Sequence, residues 1–311
     1  MSKLKIALLA LSVPVSFSSV AGTQDDLFTP EKVSAGINLG TLSGQTKERV
    51  YNPEEGGRKE SQLNWKYNNA AVVKGSFDWD FMPRISLGAS GWTTLASRGG
   101  NMNDYDWTIP SQKEWTDHSS HPDTRLNYAN EFDVNMKGWL FNEPDWRLGV
   151  MAGYQESRYS FNAKGGSYSY ENGEYTGDFP RDLTVIGYQQ RFKMPYIGLT
   201  GDYRFNNFEA SGTFKYSGWV HSSDNDEHYL TSTTFKDNVH NQNYYSLSGS
   251  LGYYVTDNAK VYIEGVWSRV TNKKGDLAAY NYGDNTTDNV AGGSGIENYS
   301  FMTTAGLKYT F

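Results

Sequence analysis

Along much of this chain apolar and polar residues alternate with a period of two. The last thirteen residues put Tyr299, Phe301, Thr303, Ala305, Leu307, Tyr309 and Phe311 on one face, and Ser300, Met302, Thr304, Gly306, Lys308 and Thr310 on the other. The split recurs at Tyr245, Leu247, Gly249, Leu251 and Tyr253, at Phe208, Ala210, Gly212, Phe214 and Tyr216, and from Ile85 to Trp92. Successive side chains of a strand point to opposite faces, so each segment predicts a strand with one apolar face and aromatics near its ends. Strands of about 20 residues at about 3.3 Å each would run roughly 60 Å, too long for a soluble β-sandwich.

Short connections with turn chemistry fall at Phe81-Met82-Pro83, Asn142-Glu143-Pro144-Asp145, Asn206-Asn207 and Thr256-Asp257-Asn258. Long polar stretches alternate with them, near 51–60, 99–124, 165–181, 224–240 and 275–294. Five long and four short connections make ten strands with both chain ends on the short-turn side. The prediction is an all-β protein: a ten-stranded antiparallel transmembrane β-barrel with long extracellular loops and short periplasmic turns. Helical spanning is excluded, because nothing beyond the N-terminus approaches the run of about 20 apolar residues it needs.

Residues 1–21 carry Lys3 and Lys5, an apolar stretch from Ile6 to Val15 and the small-x-small ending Ser19-Val20-Ala21. This is the pattern of a cleaved secretory signal, leaving 22–311 as a single barrel domain. The mature chain then has 26 basic and 35 acidic residues, a net charge of −9. There is no cysteine, so closure of the sheet, not a disulfide framework, must hold the exported protein together. The 15% aromatic content and polar average fit a barrel, whose two surfaces have opposite character. Negative charge without a basic stripe excludes nucleic acid as a partner. Gly292-Gly293-Ser294-Gly295 reads as a flexible linker before the last strand, not a phosphate loop. Lys66, Lys74, Asp78, Glu131, Asp133 and Lys137 fall on the inner face, where a narrow barrel would hold them as paired charges and leave no open pore.

Two acidic groups lie in the outward stretches. Asp104 and Asp106 share a face, as do Asp224, Asp226 and His228. They follow the third and seventh strands and so can face each other across the barrel mouth. An aspartate beside an imidazole fixes its tautomer and raises its basicity, leaving the other nitrogen to take a proton from water. A facing aspartate pair can hold that water and share a proton. His118, His121, His228 and these aspartates could in principle serve zinc, but no recognised ligand spacing is present, so no metal is expected. Ser222 and Ser223 near His228 lack any nucleophile elbow. Glu48 shares the inner face of the first strand with Ser34, Gly36, Asn38 and Gly40. Tyr154, Glu156 and Arg158 continue the lipid face of Trp146, Leu148, Val150 and Ala152, and Arg191 shares its face with Ile197 and Leu199. Charges there are costly in hydrocarbon but suit anionic headgroups at the rim.

Leu42-Ser43-Gly44-Gln45-Thr46-Lys47-Glu48-Arg49-Val50-Tyr51, Gly91-Trp92-Thr93-Thr94, Arg98-Gly99-Gly100-Asn101-Met102, His121-Pro122-Asp123-Thr124, Gly153-Tyr154-Gln155-Glu156-Ser157-Arg158-Tyr159, Asp224-Asn225-Asp226-Glu227-His228-Tyr229 and the C-terminal Ala305 to Phe311 together resemble the omptin family of outer-membrane proteases, over essentially the whole mature chain. The resemblance implies an aspartyl-type endopeptidase, in which Asp104 and Asp106 hold the water and Asp226 orients His228 as base. It implies cleavage between two basic residues, with Glu48 and Asp224 lining the pocket for the residue before the cut and Asp117 contacting the residue after it. It further implies lipopolysaccharide bound at Tyr154, Glu156, Arg158 and Arg191 and required for activity, with no other cofactor. His240 stands where relatives carry a lysine, which would weaken or pH-tune one phosphate contact. The expected partners are basic peptides or proteins, lipopolysaccharide and outer-membrane lipid. The expected state is a monomer in the bacterial outer membrane with an extracellular active site. The rival reading is a catalytically silent barrel serving as adhesin or structural protein.

Overall fold

In a computed structural model describing residues 32–311, the chain forms β1 (Val33–Asn52), β2 (Arg58–Met82), β3 (Ile85–Asp106), β4 (Asp117–Asn142), β5 (Trp146–Tyr170), β6 (Tyr175–Phe205), β7 (Phe208–His228), β8 (Thr233–Tyr254), β9 (Ala259–Asn281) and β10 (Thr286–Thr310). The expected signal, residues 1–21, lies outside the described residues. Each strand pairs antiparallel with its sequence neighbours, and β1 closes the ring on β10 from Ser34 opposite Thr310 to Val50 opposite Ser294. Closure leaves no sheet edge unpaired.

The alternation decides which side chains face out. Leu39, Leu87, Val150, Leu199, Leu251 and Ile263 are exposed on the outer wall, and aromatic pairs bracket this apolar belt. Phe141–Trp146, Phe208–Tyr253 and Tyr309–Phe311 lie at the turn end; Phe132–Tyr154 and Tyr216–Tyr245 lie at the far edge. A closed sheet in lipid needs such a belt with interfacial rims.

The strands run from 20 residues in β1 to 31 in β6, against about 10 for a membrane crossing, so much of each projects beyond the belt. The outward stretches prove to be mostly strand. Asp224–His228 lies within β7, most of 165–181 lies in β5 and β6, and Gly292–Gly295 is a bulged part of β10, not a linker. The longest unpaired connection is 107–116, between β3 and β4. Polar side chains do not end a strand whose backbone partner continues alongside.

One expected lumen residue is misplaced. Lys66 is exposed on the outside, because Leu63, Trp65 and Tyr67 are the buried set of upper β2. Register shifts between Lys66 and Val72, with Asn69 at φ 51°, change the parity, so Ala70, Val72 and Lys74 face inward below them. Lys74, Asp78, Asp133 and Lys137 are in ion pairs as expected, whereas Glu131 takes neutral donors. Lys74 meets Glu264 at 2.6 Å, Asp78 takes Lys137 and Lys308 at 2.8 Å each, Asp133 takes Lys215 at 2.7 Å, and Glu131 accepts from Ser157 Oγ at 2.7 Å. Above these ion pairs, Trp65, Tyr67, Tyr159, Phe161, Tyr188 and Phe192 are buried as a cluster of touching rings. This aromatic layer is the floor of the cleft above it.

Candidate active site

Asp104 and Asp106 end β3, and Asp224, Asp226 and His228 end β7. In the ring these strands are four steps apart through β4–β6 and six through β2, β1 and β10–β8, so their ends face each other. Between them lies a cleft of about 790 Å³ lined by Glu48, Ser61, Asp104, Asp106, Asp117, Tyr170, Asp226 and His228. The i, i+2 spacing places each group because both segments are extended.

His228 Nε2 lies 2.7 Å from Asp226 Oδ2, leaving Nδ1 as the nitrogen that can exchange a proton. Asp226 is 1% exposed, and its Oδ1 has no hydrogen-bond partner. Burial opposes charge on His228, but Asp226, Asp104 and Asp106 outweigh it and raise its pKa to about 9. Asp104 stands well above the ordinary carboxylate range through burial and then the Asp106 charge. Asp106 is raised too, by burial and by Asp117, against a lowering hydrogen bond from Ser61. Clustered buried carboxylates oppose one another's ionisation.

Glu48 is brought to the same cleft, 1% exposed, with Oε2 unpartnered. Burial, then Asp226, Asp224, Asp237 and Asp104, push it well above its usual range. Asp224 is held by the aromatic floor. Tyr188 stacks on Trp65 at 5.2 Å and donates its O–H to Asp224 Oδ2 at 2.8 Å. Burial and Asp226 raise Asp224 to about 7 against that hydrogen bond. Asp117 also lines the cleft, its carboxylate accepting from Thr116 Oγ1 at 2.6 Å and from the Glu171 N–H at 2.9 Å.

The side chains of His121, His118 and Ser222 are engaged within the barrel wall. His121 is fully buried, with Nε2 on Ser119 Oγ at 2.9 Å and Nδ1 on the Gly165 carbonyl at 2.5 Å. His118 stacks on Tyr105, and Ser222 donates to Gln242. Among the described residues, the ligand-type side chains whose donor atoms converge are Glu48, Asp224 and Asp237, all hard oxygen donors. The polar stretch 224–240 conceals Asp237, an acid in phase with Phe235 and Val239 on one strand face.

On the outer wall, just beyond the aromatic rim, Glu156 is clasped by Arg158 at 2.7 Å and Arg191 at 2.8 Å, with Tyr154 O–H donating at 3.3 Å. Glu156 is buried while the two guanidinium side chains stay 49% and 42% exposed. Three strands along from Arg158, His240 on β8 stacks on His221 of β7 at 4.2 Å, and His221 pairs in register with Lys193.

The Omptin family model matches residues 29–311. The chain is 63% identical over 312 residues to outer membrane protease OmpP of Escherichia coli strain K12, covering 99% of each. It is 54% identical over 314 residues to outer membrane protease IcsP of Shigella flexneri, covering 99% of this chain and 100% of that one. The crystal structure of outer membrane protease OmpT from Escherichia coli superposes with a TM-score of 0.89 at 65% identity, covering 91% of this chain and 98% of that one.

Proposed function

We propose, from the premise that this chain belongs to the omptin family of outer-membrane proteases, that it is an endopeptidase cutting between paired basic residues, with its active site on the extracellular side. The observation that carries this reading is the His228–Asp226 contact of 2.7 Å in one cleft with Asp104 and Asp106. A water held by the aspartate pair gives a proton to His228 Nδ1 as its oxygen attacks the scissile carbonyl. The resulting imidazolium, held by Asp226, returns the proton to the leaving amine as the C–N bond breaks. Asp226 orients the ring.

Substrate charge belongs to the chemistry. The acids that raise His228 to about 9 keep it protonated in the empty cleft at neutral pH, where it is no base. A dibasic segment brings like charge to the imidazole, which lowers its pKa and frees the base as the substrate binds. Glu48 and Asp224 receive the side chain before the cut, and Asp117 faces the one after it. Outside, Glu156 holds Arg158 and Arg191 at a fixed spacing, and their remaining N–H donors suit the phosphates of lipopolysaccharide, which we assign as the required lipid.

Mass-spectrometric mapping of cuts in a peptide library, with and without chelator, tests the reading. Cuts confined to Arg/Lys–Arg/Lys bonds and indifferent to chelator are expected. Cuts scattered among neutral residues, or abolished by chelator, would refute it.

A further inference from the structure

Asp237 faces the lumen from β8 at 0% exposure, beside Asp224, whose Oδ1 accepts its backbone N–H at 3.1 Å. Carboxylate oxygens of Glu48, Asp224 and Asp237 all lie within 4.8 Å of one another. Their hydrogen bonding differs sharply. Asp224 accepts from Tyr188 and from the Asp237 N–H, whereas both oxygens of Asp237 and Oε2 of Glu48 have no partner. An unpartnered buried carboxylate opposes folding, and isosteric Asn would remove the charge at no cost in volume. Three free acceptor atoms in one buried cluster therefore mark a place for a cation that arrives with its own donors. Of the three, Glu48 lines the cleft that holds His228, so the cluster lies directly behind the wall of that cleft.

We propose that Asp237 is a third specificity-determining residue of the pocket for the basic side chain before the cut, and that its paired free oxygens select arginine over lysine. This rests on the endopeptidase reading above. A guanidinium presents two parallel N–H donors that match the two oxygens of one carboxylate, and it keeps further donors for Glu48 Oε2. An ammonium is a point donor and cannot engage both Asp237 oxygens in line while also reaching Glu48. Asp224, tied to Tyr188, forms the fixed wall and adds charge. Burial together with Asp224 and Asp226 holds Asp237 well above the ordinary carboxylate range.

The test uses the full-length barrel refolded with lipopolysaccharide and matched fluorogenic peptides carrying Arg or Lys before the scissile bond. Wild type is compared with Asp237→Asn and, as a second variant, Asp237→Ser, with heat-dependent gel migration reporting the folded barrel. Asp237→Asn is expected to raise KM for the Arg peptide by about 10-fold, to change kcat by less than about 3-fold and to lower the Arg/Lys preference by about 10-fold. The pH profile of kcat should not move, because the His228–Asp226 pair is untouched. KM and preference within about 2-fold of wild type in both folded variants would overturn the proposal while leaving the endopeptidase reading intact, as would a fall in kcat alone. Calorimetric binding of Ca²⁺ or Zn²⁺ to wild type and not to Asp237→Asn, with matching inhibition, would make the occupant a metal ion and overturn it too. Failure of wild type to cut either peptide would instead refute the endopeptidase reading and this proposal with it.

Discussion

His228 carries the account at the residue scale, because its proton must leave before it can act. With its pKa raised to about 9 by Asp226, Asp104 and Asp106 against burial, the free enzyme gains its base only as pH climbs toward 9. The kcat/KM profile, which reports the free enzyme, should therefore rise across neutral pH to about 9. The kcat profile, which reports the complex, should rise at lower pH because bound substrate charge has already lowered the imidazole pKa. Coincident limbs in steady-state kinetics would contradict this coupling. These residues were legible from sequence because an i, i+2 spacing shares a face in any extended segment, whether loop or strand. Asp237 was not legible, since its face is defined only once β8 is known to run past the belt to Thr233.

Strands, as elements, account for most of what the alternation foretold: ten of them, their turns, their lipid faces and the lumen pairing. Two kinds of feature escaped it. Segments beyond lipid lack an apolar face, so their pairing leaves no period-two signal. Bulges shift parity without an obvious residue, and a period of two run unbroken through Asn68–Asn69 turns Lys66 inward where the structure turns it out. The left-handed φ of 51° at Asn69 costs a β-branched side chain roughly 1–2 kcal/mol, so Asn69→Val should destabilise the barrel by about that amount in micellar urea unfolding. Trp65→Ala removes a fully buried ring from the floor under Asp224 and should cost about 3–5 kcal/mol by the same measurement. It should also raise KM as Tyr188 loses its stacking partner.

As a whole the molecule sorts its charge by place. Opposite charges pair within the lower lumen, acids gather in the cleft, and two exposed arginines stand on the outer rim. A cleft of one sign on a chain of net charge −7 attracts cationic peptides over distances that salt screens. Thus kcat/KM for an Arg-Arg peptide should fall several-fold between about 20 and 200 mM salt, with kcat nearly constant. Arg158→Ala with Arg191→Ala should abolish lipopolysaccharide-dependent activation and leave heat-resistant folding intact, as read by activity against added lipid. The central claim, that the Asp226–His228 pair performs the cleavage, is tested most directly by presenting cells displaying wild type, His228→Ala or Asp226→Ala with one fluorogenic Arg-Arg peptide. The account predicts rapid cleavage by wild type and a loss of about 100-fold or more in each variant; equal cleavage by all three would contradict it.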